Sequence, residues 1–190
     1  MPEAKEKVIV GISGSSCVIL GIHLLEILKK LKIETHLIIS DTAKKLIEHE
    51  TSYKVRDVEK LATKVYGYKD LFAAVASGSF KTKGMVIIPC SMKTLAGIAN
   101  GYSDNLMLRA ADVCLKERRK LVLVTRETPL NLIHIENMRK ATLAGSIILP
   151  PVLTLYSKPK KIDEIVDHLI GKVLDVLDIE NKIYKRWAGH

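Results

Sequence analysis

KVIVGISGSSCVILGIHLLEILKKL, residues 7–31, is the stretch whose reading decides the fold. Lys7–Ile12 is a near-continuous apolar run rich in Val and Ile, as expected of a strand covered on both faces. Gly11-Ile12-Ser13-Gly14-Ser15-Ser16-Cys17 turns the chain, and Val18–Leu31 reads as a helix. The same order recurs downstream. Ile33–Ile39, Gly84–Pro89, Leu121–Thr125 and Ser146–Leu149 read as strands. Asp41–Glu50, Val55–Val65, Met92–Asn100, Asp104–Arg118 and Asn131–Ala144 read as helices, the last closed by Gly145 as C-cap. Ile162–Asp178 is an amphipathic final helix whose Ile165, Val166, Leu169, Ile170, Val173, Leu174 and Leu177 fill about half its circumference. Strand–helix alternation with short links predicts a doubly wound parallel α/β sheet with right-handed crossovers. With no repeat, low-complexity tract or linker, residues 1–190 read as a single domain.

Composition narrows the class. At 190 residues and 47% hydrophobic, the chain excludes disorder and suits one sizeable core. Its apolar runs fall far short of the ~18 residues of a membrane span. Met1–Lys7 carries acidic residues and leads straight into a strand, unlike a signal peptide. Cys17, Cys90 and Cys114 are odd in number with no CxxC, which excludes a disulfide scaffold or zinc ribbon and fits a reducing cytoplasm. The six His stand at 23, 36, 49, 134, 168 and 190 without ligand spacing, so no metal is expected. The formal charge is +9, yet the Lys and Arg are interleaved with acids, and no nucleic-acid motif is present. Such charge also concentrates anionic small molecules near a cleft.

Ligands of such a sheet sit beyond the carboxyl ends of its strands, where four segments carry chemistry. Gly11–Cys17 offers a tight Gly/Ser turn and a helix N-terminus to a phosphate, although it is neither a Walker A loop nor a full GxGxxG. An ordinary turn with a Ser N-cap is the plain alternative. Pro89-Cys90-Ser91-Met92-Lys93-Thr94 repeats the arrangement, with helix capping as its alternative. Arg109 and Lys116 lie two turns apart on one helical face with Asp112 between them, ahead of Arg126-Glu127 at a strand end. A solvated salt-bridge ladder competes with a ligand-binding role there. Tyr156 follows the Pro150-Pro151 turn, and Lys172 sits at the edge of the last helix's apolar arc, where it could reach a site or simply snorkel.

GISGSS at 11–16, ASGSF at Ala76–Phe80, PCSMKTLAGIA at Pro89–Ala99, SDNLMLRAADVCLKERRKLVLVTRETPL at Ser103–Leu130, HIENMRKATLAG at His134–Gly145 and Arg186-Trp187 together resemble the UbiX family of flavin prenyltransferases. The likeness is collinear over roughly 8–187, and Asp104–Leu130 is its most specific part. It implies a flavodoxin-like fold, a homo-oligomer (commonly a dodecamer) and a metal-independent alkylation of reduced FMN by dimethylallyl phosphate. The product would be prenylated FMN for UbiD-type decarboxylases. Carried over by position, flavin contacts fall on Gly14, Ser15, Ser16, Ser40, Ser91, Met92, Lys93, Thr94 and Arg126. Prenyl-phosphate contacts fall on Arg109, Lys116, Glu127, Tyr156 and Lys172, and chemistry on Ser16, Glu50, Glu127 and Lys116.

Three departures stand out. Cys17 occupies a position where the family has Gly, and Lys172 one where Arg is expected. Residues 53–75 match no family pattern. Two rivals share the resemblance: a flavin-dependent decarboxylase of peptidyl or pantothenoyl cysteine, and a non-enzymatic flavin carrier. The first calls for a PASANT-like segment where this chain has PCSMKT. The second has no use for the Arg109, Lys116, Glu127 and Lys172 group.

Overall fold

The Val- and Ile-rich runs form one six-stranded sheet in the computed structural model, which describes residues 6–187 and 189. The N-terminal residues 1–5, read above for a signal peptide, lie outside the described residues. The strands are β1 (Lys7–Ile12), β2 (Glu34–Ile39), β3 (Lys64–Tyr66), β4 (Gly84–Cys90), β5 (Lys120–Thr125) and β6 (Ser146–Ile148). Between them run α1 (Ile19–Lys30), α2 (Asp41–Glu50), α3 (Val55–Glu59), α4 (Met92–Ala99), α5 (Leu106–Lys116) and α6 (Leu132–Leu143), with α7 (Ile162–Val176) last. Spatial order is β3-β2-β1-β4-β5-β6, every pair parallel. Chain order reverses between β1 and β4, so the ligand crevice belongs beyond their carboxyl ends.

Strand alternation divides the core into two layers. Val8, Val10, Val86, Ile88, Val122 and Val124 face α1 and α7. Ile9, Met85, Ile87, Leu121 and Leu123 face α4, α5 and α6. All of β4 is buried, as a central parallel strand should be. α1 lies close on the sheet because residue 21 is glycine: a Cβ there would come within 2.5 Å of the Ile88 carbonyl oxygen.

One element differs from the expectation. The helix foreseen over Val55–Val65 ends at Glu59, and Lys64–Tyr66 is an edge strand paired with His36–Ile38. Thr35 and Thr63 anchor its start, each side chain accepting the other's backbone N–H at 3.0 and 3.1 Å. Three residues are too few for a periodic signal, so tertiary pairing decided the state.

The direction of α5 matters below. Its first N–H, from Leu106, donates to the Tyr68 carbonyl just beyond the carboxyl end of β3. Its far end, by contrast, reaches Gly78, on the approach to the amino end of β4. The helix therefore runs from the crevice edge of the sheet to the opposite edge.

Candidate functional site

Ser13 stitches the two central loops together. Its Oγ donates to the Pro89 carbonyl at 2.9 Å and accepts the Ser91 N–H at 2.8 Å. The residue is 1% exposed, where an unpaired hydroxyl would be costly. Ser15 Oγ donates to the Arg126 carbonyl at 3.0 Å, bringing the end of β5 into the same floor. Gly14 passes so near the start of α2 that a Cβ would sit 2.7 Å from Thr42 Cβ.

Two capped helices open onto this floor. Ser40 Oγ accepts the Ala43 N–H at 3.2 Å at the head of α2, and Ser91 Oγ accepts the Thr94 N–H at 3.3 Å at the head of α4. Of the capping box weighed for PCSMKT, the Ser91 N-cap forms while the reciprocal bond from Thr94 to the Ser91 N–H is not among those of the described residues. Capping does not exclude ligand binding, since each cap leaves other first-turn N–H groups pointing at the crevice.

The head of α1 is arranged otherwise. No serine caps it. Glu50, the last residue of α2, accepts the Cys17 and Val18 N–H groups at 2.9 and 3.3 Å with one carboxylate oxygen. A negative charge is favourable at that helix end, and it places Glu50 beside Ser16. Cys17 holds a φ of 74°, the left-handed region in which glycine is at ease.

Gly14, Ser40, Ser91, Lys93 and Thr94 line a cavity of about 200 Å3 together with Asp41, Thr42 and Tyr68. The last three were not singled out from sequence. Asp41 and Thr42 follow directly on Ser40, so the strand-to-helix turn was an available signal; Tyr68 lies in the unmatched 53–75 segment and gave none. Met92 is half-buried and packs against the core layer under α4. The Arg126 guanidinium has no ion pair among the described residues. The Glu127 carboxylate is exposed and accepts the N–H of Thr128 at 3.0 Å.

The remaining candidates lie elsewhere on the same chain. Arg109 donates to the Ala76 carbonyl at 3.2 Å and pairs with Asp112 at 2.6 Å. Lys116 sits at the far end of α5 and pairs with Glu117 rather than Asp112, so only half of the expected ladder forms. Lys116 also holds the exposed Glu117 carboxyl below the usual carboxylate range. Tyr156 stands edge-on to His168 and Trp187, each ring centroid 5.5 Å away. Lys172 is exposed one turn beyond His168. Burial, with the charge of Lys172 second, pushes the His168 imidazole below its ordinary pKa. α5 and α7 cover opposite faces of the sheet, and none of Arg109, Lys116, Tyr156 and Lys172 lines the cavity of Gly14, Ser40 and Ser91.

A flavoprotein family model matches residues 2–186. A probable UbiX-like flavin prenyltransferase of Sedimentibacter hydroxybenzoicus is 52% identical over 184 residues, 96% of this chain and 97% of that protein. The crystal structure of AnUbiX (PadA1) in complex with FMN and dimethylallyl pyrophosphate has a TM-score of 0.97 and 44% identity, covering 98% of this chain and 100% of that one. The chain belongs to the UbiX flavin prenyltransferase family. A dodecameric FMN-dependent UbiX-like decarboxylase from Escherichia coli O157:H7 matches with a TM-score of 0.94 and 49% identity, covering 96% and 100%.

Membership of the UbiX family settles the choice among the three readings in favour of a prenyltransferase. The peptidyl-cysteine decarboxylase EpiD, at 22% identity and a TM-score of 0.66, shares the fold alone.

Proposed function

We propose that this UbiX-family enzyme transfers the dimethylallyl group of dimethylallyl phosphate to N5 and C6 of reduced FMN. The observation that carries the reading is the Ser13-stitched cavity, with two helix N-termini and the unpaired Arg126 at one strand edge. That donor set fits a flavin mononucleotide: N–H groups and hydroxyls for the phosphate, a cation at the rim, and no second loop for an adenylate arm.

When bound, reduced FMN supplies the nucleophile and the ring carbon at which the second bond closes. The protein's part is electrostatic. Cleaving an allylic C–O bond develops negative charge on the departing phosphate, which Arg109, Lys116, Lys172 and the Tyr156 hydroxyl are chemically suited to stabilise. A proton must also leave. Glu50 is fixed beside Ser16 by the α1 backbone, and Glu127 stands next to Arg126, so Ser16, Glu50 and Glu127 are placed to hold or pass it.

Since one chain keeps Lys116 at the far edge, the phosphate-binding half of each site comes from neighbouring copies in a homo-oligomer, a dodecamer by likeness to the E. coli protein. Exposed Leu132, Ile133 and Leu143 on α6 and Val152, Leu153 and Leu155 beyond β6 give apolar surface for such contacts. The whole chain, 1–190, acts as one flavoprotein domain. It works in the cytoplasm, in keeping with its three free thiols, and no helix among the described residues is long and apolar enough to cross a membrane. Its product goes to a UbiD-type decarboxylase. Anaerobic incubation with reduced FMN and dimethylallyl phosphate, followed by mass analysis of the flavin, tests the reading. Flavin one prenyl group heavier is expected, and unmodified flavin would refute it.

A further inference from the structure

Tyr68 is the one wall of the flavin cavity that lies within residues 53–75, the segment that matches no family pattern. Its backbone is fixed: the carbonyl accepts the first N–H of α5, from Leu106, at 2.9 Å. The ring is half-buried against the core layer of α4 and α5, so its direction is set by packing. Among the described residues its hydroxyl has no hydrogen-bond partner. Asp41 lines the same cavity but does not take that proton. Burial, followed by the nearby Asp104 and Asp41 carboxylates, pushes the phenol above its ordinary pKa. The group therefore stays protonated across the physiological range, as a donor without charge.

The rest of the cavity says what that donor is for. Ser40 and Ser91 each accept a helix-capping N–H, and Ser91 gives its proton to Thr94 Oγ1 at 3.1 Å. The heads of α2 and α4 converge on one spot, which favours an anion. Resting on the flavin reading above, we propose that the Tyr68 hydroxyl donates to the phosphate monoester of FMN and makes this enzyme discriminate FMN from riboflavin. The flavin ring is not its target. A phenol donating to a phosphate oxygen makes a charge-assisted bond, stronger than one to a neutral group.

The test measures dissociation constants of FMN and of riboflavin for the full chain and for Tyr68→Phe, by fluorescence titration. Tyr68→Phe should weaken FMN about tenfold and leave riboflavin within about twofold, the cost of one donor to a charged acceptor. Equal losses for both flavins would assign Tyr68 to the ring or to folding, and unchanged FMN affinity would remove the contact. Either result overturns the proposal while leaving the flavin reading intact. Wild-type protein that binds no FMN would overturn both. The variant's melting temperature should match wild type, because the lost hydroxyl has no partner among the described residues.

Discussion

At the carboxyl edge, Ser13, Ser15 and Glu50 join three strand ends and two helices through side-chain hydrogen bonds between 2.8 and 3.3 Å. On α5, Lys116 is engaged by its neighbour in sequence, Glu117, and Arg109 by Asp112 one turn away and by the Ala76 carbonyl. The contrast is one of preorganisation. The proposed flavin half has its loops joined within one chain, each fixed by a contact distant in sequence. The proposed phosphate half rests on the exposed Lys116 and Lys172 and the part-buried Arg109, and the local ion pairs of Lys116 and Arg109 cost little to exchange for a substrate anion. On the reading proposed above, a site divided in this way would bind flavin as a property of the fold and gain its second ligand through assembly.

The largest expected effect separates the two halves. Lys116→Ala should slow prenylation about 10²- to 10³-fold, the usual cost of removing one group that stabilises developing charge. FMN affinity should not move. Glu127→Gln should act in the same direction. Full-rate prenylation by both variants would break the comparison. Gly14→Ala attacks the other half. Its Cβ must push Thr42 aside, so FMN should bind at least about tenfold more weakly, overpacking of this kind costing roughly 1–3 kcal/mol. Titration of wild type and variant checks it, and unchanged affinity would show that the loop is softer than its contacts imply.

Smaller effects sharpen the picture. Cys17→Gly relieves a left-handed residue worth about 1–2 kcal/mol and returns about 0.5–1 kcal/mol of unfolded-chain freedom. The melting temperature should rise by about 1–3 °C. A fall would mean that the thiol makes a compensating contact. Smallest is Lys172→Arg, where a two-pronged guanidinium replaces a point charge. KM for dimethylallyl phosphate should stay level or drop by about twofold with kcat unchanged. A rise in KM would place Lys172 outside the phosphate site.

What could be read from sequence follows the same division. β1, β2, β4, β5 and β6 were legible because strands buried on both faces are apolar runs bounded by helical periodicity. β3 was not, because its three residues are set by pairing with β2. Gly14 and Ser91 were legible because a strand–turn–helix junction fixes them locally, and Ser40 through the family resemblance. Ser13 and Tyr68 were not, as their roles exist only once β4 and α5 are packed beside them. Arg109 and Lys116 could be placed on one helical face by spacing alone. Spacing does not say toward which edge of the sheet the helix runs, and that direction puts Lys116 far from its own chain's pocket.

Complementation between two defective chains measures that division directly. Gly14→Ala has a weakened flavin pocket and Lys116→Ala lacks the cation; with FMN limiting, each alone should be strongly impaired. Co-expressed and purified as mixed oligomers, they should regain about a quarter of wild-type prenylation, because random assembly pairs an intact pocket with an intact Lys116 in that share of sites. Activity no higher than the sum of the two parents would contradict a site shared between copies.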